Sequence, residues 1–189
     1  ALSVAQPRVQ ALTTTGDGIE IDKNRQILFV IHEGTTQLVL NASSGSGQYF
    51  LEPNQKDPTK WENGRAVTPS GRFVIQRQKS EGWWDGDLGK IYRPKYFNGG
   101  RAVHGLSSVP AYPASHGCVR VSIPAMDMLW TLPYLKKGTP VWVYGDDVAP
   151  RNQPIPIPPP TTAPPSTTAG SSSSTSSTSS TSTTAAPAN

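Results

Sequence analysis

The chain has 189 residues, a formal net charge of +4 and one cysteine, and every charged residue lies before Asn152. The mild excess of Lys and Arg is that of an ordinary protein surface, and no basic cluster interleaved with aromatics indicates a nucleic-acid groove. The sequence contains no run of about 18 apolar residues that could span a membrane. Its single thiol excludes an internal disulfide and a cysteine-rich zinc site.

Composition divides the chain into a lead-in (1–17), a folded domain (18–147) and a Pro/Ser/Thr-rich tail (148–189). The tail has no aromatic residue and, beyond Pro150, only Ile155 and Ile157 as large apolar side chains, so it cannot offset its ordering entropy. We expect a disordered tail: an extended proline spacer, then a flexible Ser/Thr segment that is typical of O-glycosylated stalks. Because the chain begins at Ala1 rather than at methionine, we also expect that an upstream segment, such as a signal peptide, has been removed.

The folded part is predicted to be mainly β. The stretches "GIEIDKN", "RQILFVIHEG" and "TQLVLNAS" alternate or are rich in β-branched residues, which predicts a three-stranded meander. A Pro-Ser-Gly turn leads into a strand at 73–76, and "KIYRPKYF", "GRAVHG" and "VWVYG" predict three more. Long loops are expected at about 43–66 and 81–90.

One helix is predicted directly after the cysteine. Ser122 can cap it, Pro124 suits its first turn, and it ends before Pro133. One face would carry the apolar residues Ile123, Met126, Leu129 and Trp130. The predicted fold class is therefore a mainly β sandwich or barrel-like domain with one or two short helices.

Cys118 stands in the stretch "ASHGCVRVS", where its neighbours favour a reactive thiol. A bare cysteine is most often a small buried hydrophobe, and an intermolecular bridge is a third role. Here His116 and the more distant His104 are candidate bases, and Arg120 can pair with a carboxylate. Gly117 allows close backbone approach, so the N–H groups of Gly117 and Cys118 could face a developing oxyanion. We interpret His32, which alternates with apolar neighbours, as structural.

A tryptophan pair, Trp83 and Trp84, lies in the second predicted loop among glycines. The pair could form a mobile wall of a substrate cleft. Alternatively, one indole could anchor the loop in the core.

These residues resemble a family. "HG" followed by "SHGCVR" is similar to the signature of L,D-transpeptidases, the YkuD-type catalytic domain of bacterial cell-wall enzymes. "TPSGRFVI" resembles the family's strand entry, "KKGTPVWVY" its closing strand and "ILFVIHEGTTQLVLNASSGSG" its opening strands. The similarity covers roughly 18–144, and "SHGCVR" is the most specific part of it.

The resemblance implies a role for each matching residue. Cys118 would be the nucleophile, His104 the general base, and the Gly105 carbonyl the group that orients this base. Ser115, His116 and Gly117 would form the active-site turn, with His116 lining the pocket. Arg120 would support the site and meet a substrate carboxylate.

The implied activity is formation of 3→3 peptidoglycan cross-links through a cysteine thioester with release of D-Ala. The partners would be donor and acceptor stem peptides, with no metal or cofactor, no nucleic acid and no integral membrane segment. The protein would be an exported bacterial monomer in the periplasm or cell wall, and the thiol should react with carbapenem-type β-lactams. Alternatives are an L,D-carboxypeptidase, a protein-anchoring enzyme with the same acyl-enzyme, or a non-catalytic wall-binding module.

Overall fold

The computed structural model describes residues 10–152 and 155–157, all within the compact unit Ala1–Pro158. This part of the chain forms twelve strands and one helix. In chain order they are β1 Gly18–Asp22, β2 Ile27–His32, β3 Thr35–Asn41, β4 Tyr49–Pro53, β5 Trp61–Arg65, β6 Gly71–Val74, β7 Arg77–Gln78, β8 Trp83–Gly86, β9 Gly89–Asn98, β10 Arg101–Leu106, β11 Val119–Ser122, α1 Ile123–Thr131 and β12 Pro140–Tyr144.

The first sheet has the strand order β3-β2-β1-β12-β6. The antiparallel pairs β1–β2 and β2–β3 confirm the predicted meander. The last strand, β12, lies parallel to β1 and antiparallel to β6, with Val141 opposite both Ile19 and Phe73. The strand expected at 73–76 is present but begins and ends two residues earlier.

The second sheet has the order β11-β10-β9-β7, and β8 also pairs with β9. Its strands β10 and β11 run parallel, with Val103 opposite Val119 and His104 opposite Arg120. Cys118 immediately precedes β11. The parallel register therefore brings His104 and Cys118, which are 14 positions apart in the sequence, to one region of the sheet.

The core lies where the two sheets and the helix meet. Ile19, Leu28 and Val141 from the first sheet pack in one cluster with Phe97 from the second and with Met126 from α1. Each of these side chains is at most 1% exposed. The predicted mainly β, sandwich-like fold class is confirmed: two five-stranded sheets and a separate two-stranded sheet of β4 and β5, none of which closes into a barrel.

The helix also forms as predicted. Ser122 is its N-cap and accepts a hydrogen bond from the Ala125 N–H, and the helix ends at Thr131. Met126 and Leu129 are buried, and Trp130 is half-buried with its Nε1–H donating to the Arg93 carbonyl at 2.8 Å. No helix in the described part of the chain has the length and apolarity needed to cross a membrane.

The prediction of two long loops is wrong in part, because both segments contain β-hairpin strands. Within 43–66, β4 pairs with β5, and within 81–90, β8 pairs with the start of β9. The tips of these hairpins touch: the Gln55 N–H donates to the Asp87 carbonyl at 2.8 Å, and Lys56 pairs with the Asp87 carboxylate at 3.0 Å. Pairing with a partner strand gives these segments a β conformation, which their short, Gly-rich and charged sequences do not predict by themselves.

The described ends of the lead-in and the tail lie against the domain. Two backbone N–H groups of the lead-in, at Leu12 and Thr13, donate to the buried Glu20 carboxylate. At the other end, Arg65 donates to the Val148 carbonyl at 2.9 Å, and the Arg151 N–H donates to Gln48 at 2.7 Å. Residues 1–9, 153–154 and 158–189 lie outside the described residues, and most of the predicted tail is among them.

Candidate active site

A cavity of about 390 Å³ opens at Cys118. Five of the residues singled out in the sequence line it, namely His104, Ser115, His116, Cys118 and Arg120. The hairpin tips complete its wall, with 85–91 from the β8–β9 hairpin and Lys56 and Glu62 from the β4–β5 hairpin. The fold therefore places the predicted thiol, both candidate bases and the predicted arginine around one space.

The thiol of Cys118 is held by backbone groups at the start of β10 and in the turn before it. Its sulfur accepts from the Ala102 N–H at 3.4 Å and makes a long contact of 3.8 Å to the Gly100 carbonyl oxygen. Burial raises the pKa of the Cys118 thiol, while the Ala102 N–H and the charges of Arg101 and Arg120 act to lower it. The resting state is therefore a thiol that needs a base.

His104 is suited to that task. It is 3% exposed, and its Nδ1 lies 3.0 Å from the Gly105 carbonyl oxygen, which can only accept. Nδ1 therefore carries the proton, and Nε2 is left with a free lone pair. Burial lowers the pKa of His104 to about 4, so the ring is neutral near pH 7. The predicted relationship between His104 and the Gly105 carbonyl is present in the structure.

His116 is held by a different part of the chain. Its Nε2 lies 2.9 Å from Glu52 Oε1, and its ring packs edge-on against Phe50 at a centroid distance of 4.7 Å. Both partners belong to β4, which lies in the segment predicted to be a long loop. Glu52 was therefore missed, because it lies 64 residues before His116 and no local pattern marks it.

The turn that carries the cysteine is braced by hydroxyl groups. Ser115 Oγ donates to the Cys118 carbonyl and accepts from the Gly117 N–H at 3.0 Å. Thr68 Oγ1, which no local sequence pattern marks, donates to the Gly117 carbonyl at 2.9 Å. The Gly117 N–H, which was expected to face a developing oxyanion, thus donates to Ser115 in the structure. We find no acceptor for the Cys118 N–H among the described residues.

Gly117 is required by both its conformation and its surroundings. Its φ is +127°, which side chains of L-residues rarely adopt. A Cβ at this position would lie 2.7 Å from the Val67 carbonyl oxygen and 3.1 Å from Arg101 Nε. The close approach that the sequence predicted for this glycine is thus to the backbone of the 66–70 segment.

Arg120 enters the cavity from β11, and two arginines that lie outside the cysteine motif also line the cavity. These are Arg101, whose Nε donates to the Val67 carbonyl at 2.8 Å, and Arg77, whose guanidinium lies 3.8 Å from the Tyr96 ring centroid. Burial lowers the pKa of Arg120. The long-range pairing of β7, β9 and β10 brings the three arginines to the same cavity.

The predicted place of Trp83 and Trp84 in the cleft wall is not what the structure shows. Both lie in β8, and the cavity is lined by the hairpin tip that follows them. Trp83 is 49% exposed and meets Tyr92 edge-on at 5.4 Å, while Trp84 lies under the Lys79 ammonium, 4.3 Å from its ring centroid. Pairing with Tyr92 and Ile91 places Trp83 three residue pairs and Trp84 two residue pairs back from the Gly86–Gly89 pair at the tip.

One further expectation concerns a residue outside the cavity. His32 pairs with Asp17 at 2.8 Å and stacks on Tyr134, so its structural interpretation is confirmed. In the part of the chain that the structure describes, no three His, Cys, Asp or Glu side chains are grouped so that they could hold a metal ion.

Comparison with known proteins gives the family. The model of the YkuD family, the L,D-transpeptidase catalytic domain, matches residues 16–143. No curated protein matches the sequence significantly. Among solved structures, an L,D-transpeptidase from Xylanimonas cellulosilytica is 42% identical with a TM-score of 0.65 over 73% of this chain and 65% of that one.

Two more distant structures show the same fold. They are an L,D-transpeptidase from Stackebrandtia nassauensis, 19% identical with a TM-score of 0.55, and one from Mycobacterium tuberculosis, 16% identical with a TM-score of 0.53. The first alignment covers 73% of this chain and 60% of the relative, and the second covers 69% and 58%. The chain thus spans less than two thirds of the relatives it resembles. The match over 16–143 shows that this chain belongs to the YkuD family of L,D-transpeptidase catalytic domains.

Proposed function

We propose that this chain is a peptidoglycan L,D-transpeptidase that forms 3→3 cross-links through a thioester on Cys118. One observation carries the proposal. A neutral, buried His104 with its Nδ1–H committed to the Gly105 carbonyl lines the same cavity as the thiol. A base with this tautomer presents Nε2 to its surroundings, as general-base activation of a nucleophile requires.

The first half-reaction forms the acyl-enzyme. His104 Nε2 takes the proton from Cys118 Sγ, and the sulfur attacks the carbonyl carbon of the third residue of a donor stem peptide. The C–S bond forms, and the C–N bond to the terminal D-alanine breaks. His104 returns its proton to the departing nitrogen, so D-alanine leaves as a neutral amine. The Cys118 N–H is the backbone donor for the oxyanion, since the Gly117 N–H is engaged.

The second half-reaction consumes the thioester. An amine of a second stem attacks the carbonyl carbon, and His104 removes the proton from its nitrogen. The new C–N bond forms, the C–S bond breaks, and the thiol is restored. In the resting structure Cys118 Sγ contacts Ala102 and Gly100 rather than a histidine. A shift of the sulfur towards His104 on substrate binding is therefore part of the proposal.

The remaining roles follow from the contacts in the cavity. Ser115, Gly117 and Thr68 hold the turn that presents the thiol, and His116, fixed by Glu52, lines the pocket beside it. The proposed catalytic domain is 18–147, and its place of action is the cell envelope, where peptidoglycan stems are found. The same thiol is proposed to open carbapenem-type β-lactams.

The test is the product mass from a purified disaccharide-tetrapeptide. A transpeptidase gives a thioester on Cys118, free D-alanine and a dimer with the mass of two substrates minus one D-alanine. Cys118→Ala is the control and should give none of these. A tripeptide product would indicate that water is the acceptor. If Cys118 reacts with iodoacetamide but no D-alanine is released, the chain is not this enzyme.

A further inference from the structure

The strand β9 carries a bulge directly opposite the proposed base, His104. Between its pairs with Val103 and Gly105 of β10, β9 has two residues, Arg93 and Pro94, where β10 has only His104. An extra residue of this kind is a β-bulge, and bulges beside active sites re-aim the side chains of a strand. The bulge therefore lies where it decides which side chains of β9 face the base.

The side chains on either side of the bulge show its effect. Ile91 and Tyr96 both line the cavity, although they are five positions apart, and an odd separation places side chains on opposite faces of a regular strand. Tyr92 and Lys95 are three positions apart, and both contact α1. Without the extra residue, the hairpin end of β9 would be turned over, and Tyr92 would face the cavity in place of Ile91.

The bulge is strained at Arg93. Its φ is +48°, in the left-handed region that costs energy for a residue with a side chain. Elsewhere in the described part of the chain, Gln26 and Glu33 are the non-glycine residues with positive φ, and both lie in turns between strands. Arg93, by contrast, lies inside a ten-residue strand. A strained residue there persists only where its surroundings hold it.

Asp127 and Trp130 of α1 supply much of that hold. Asp127 Oδ1 accepts from Arg93 Nη1 at 2.7 Å and from the Tyr92 hydroxyl at 3.0 Å. Trp130 Nε1–H donates to the Arg93 carbonyl at 2.8 Å. Two carbonyls just before β8 accept from the backbone N–H and the Nε–H of Arg93. The helix thus grips both the strained residue and the residue before it.

Gly105 connects these contacts to the base. Its carbonyl oxygen lies 3.0 Å from His104 Nδ1 and fixes the tautomer of the ring. A Cβ on Gly105 would lie 3.0 Å from Tyr92 Cδ1 and 3.1 Å from Met126 Cβ. The backbone that orients the base is therefore clamped between α1 and the ring that Asp127 holds.

We propose that Asp127 and Trp130 are positioning residues for His104. They act through the bulge at Arg93, which keeps Tyr92 on the helix side of the sheet and away from the cavity. Neither Asp127 nor Trp130 lines the cavity, so their loss removes no reacting group. This inference rests on the proposed role of His104 as the base and adds the part of the fold that holds it in place.

The experiment asks whether Asp127 acts through His104. The variants are Asp127→Ala and the conservative Asp127→Asn, each also made in the His104→Ala background. Two rates are measured at one pH: acylation of Cys118 by the stem tetrapeptide, and alkylation by iodoacetamide, which needs the thiolate but no donor. Asp17→Ala is the matched control, because Asp17 also holds a positive-φ residue, accepting from the Glu33 N–H at 3.0 Å, but does not line the cavity.

Asp127→Ala should lower both rates, acylation by about ten- to a hundredfold, because misplacing a reacting group is costly. Asp127→Asn keeps an acceptor oxygen for β9 and should be milder, and Asp17→Ala should leave both rates unchanged. In the His104→Ala background, Asp127→Ala should cost less than about twofold, since the group that it positions is gone. A general loss of structure would slow both backgrounds alike. If Asp127→Ala does not fold, Trp130→Phe, which removes the Nε1–H but keeps a ring, enters the same comparison.

Native rates in both Asp127→Ala and Trp130→Phe would overturn the inference, as would an equal loss with and without His104. Those outcomes leave the proposed acyl transfer intact. A native protein that iodoacetamide alkylates at Cys118 but the tetrapeptide does not acylate would overturn the proposed function instead. The alkylation rates alone would then decide whether Asp127 positions the base.

Discussion

The hydroxyl of Thr68 joins two backbone segments, because it donates to the Gly117 carbonyl at 2.9 Å and accepts from the Gly45 N–H at 2.8 Å. Thr68 is 2% exposed, so both backbone groups depend on it. It is the contact by which the segment before β6 supports the cysteine turn.

Thr68→Val should destabilise the protein although it preserves shape. It would leave a buried donor and a buried acceptor unpaired, at about 1–3 kcal/mol each. Urea unfolding should therefore show a loss of at least about 2 kcal/mol, with slower acylation of Cys118. Thr35→Val, on the exposed edge strand β3, is the control and should change little. A stability equal to that of the native protein would show that water replaces the hydroxyl.

His104→Ala should slow Cys118 acylation by about 10²–10⁴, as expected for loss of a general base. His116→Ala should be less harmful, because His116 is committed to Glu52 at 2.9 Å. Acylation rates of both variants, with the pH dependence of iodoacetamide alkylation, make the distinction. If His116→Ala alone abolishes the reactive thiolate, the two histidines exchange roles.

His104 should also make stability depend on pH. Its folded pKa of about 4 lies below the model-peptide value of 6.5, so the unfolded chain binds more protons between these values. Stability from this group is present above about pH 6.5 and is lost as the pH falls towards 4, by up to about 3 kcal/mol. Urea unfolding of the native protein and His104→Gln at several pH values should show a difference that follows this window. His32→Gln serves as the control, and a pH-independent difference would contradict the prediction.

Glu52→Ala should reduce activity without reducing stability. The Glu52–His116 pair is partly exposed, so it contributes less than about 1 kcal/mol to folding. Releasing the His116 ring into the pocket should slow acylation roughly tenfold, since small misplacements near a reacting centre are costly. Glu52→Gln keeps an acceptor for the ring and should be milder, while Glu81→Ala, on an exposed loop, should have no effect. An unchanged acylation rate in Glu52→Ala would show that the ring does not need this partner.

Gly117→Ala should be among the most damaging small substitutions. The new Cβ meets the Val67 carbonyl oxygen at 2.7 Å, and φ is +127°. We expect a loss of about 2–4 kcal/mol from strain and overlap together. Gly16→Ala shares a positive φ, +68°, but meets nothing within 4 Å, so it isolates the cost of conformation. Thermal unfolding of both should show a much larger shift for Gly117→Ala, and equal shifts would rule out the overlap.

A chain ending at Arg151 should keep its melting temperature and acylation rate, because the sequence after it has no charge or aromatic residue. A chain ending at Asp147 should not, because it lacks the bonds of Val148 and Arg151 to Arg65 and Gln48. The expected loss is about 1–3 kcal/mol, or several degrees in melting temperature. Differential scanning calorimetry of both chains checks this. Equal melting temperatures would show that the 148–151 contacts contribute nothing.

By itself the sequence determined what depends on neighbours along the chain. Alternation of apolar residues predicted β1–β3, and Ser122 with Pro124 predicted the start of α1. The motif around Cys118 pointed to the thiol and to His104, whose partner at Gly105 is the next residue. Such features are local because side-chain periodicity and capping act over a few residues.

Only the tertiary structure decided which distant segments meet. The parallel pairing of β10 and β11 set His104 and Cys118 on one cavity, and the β4–β5 hairpin brought Glu52 to His116 across 64 residues. It also brought Arg101 and Arg120 to the same cavity. Burial and hydrogen bonding across whole sheets determine which strands pair. The residues of a short segment such as β4 therefore do not predict its partner strand.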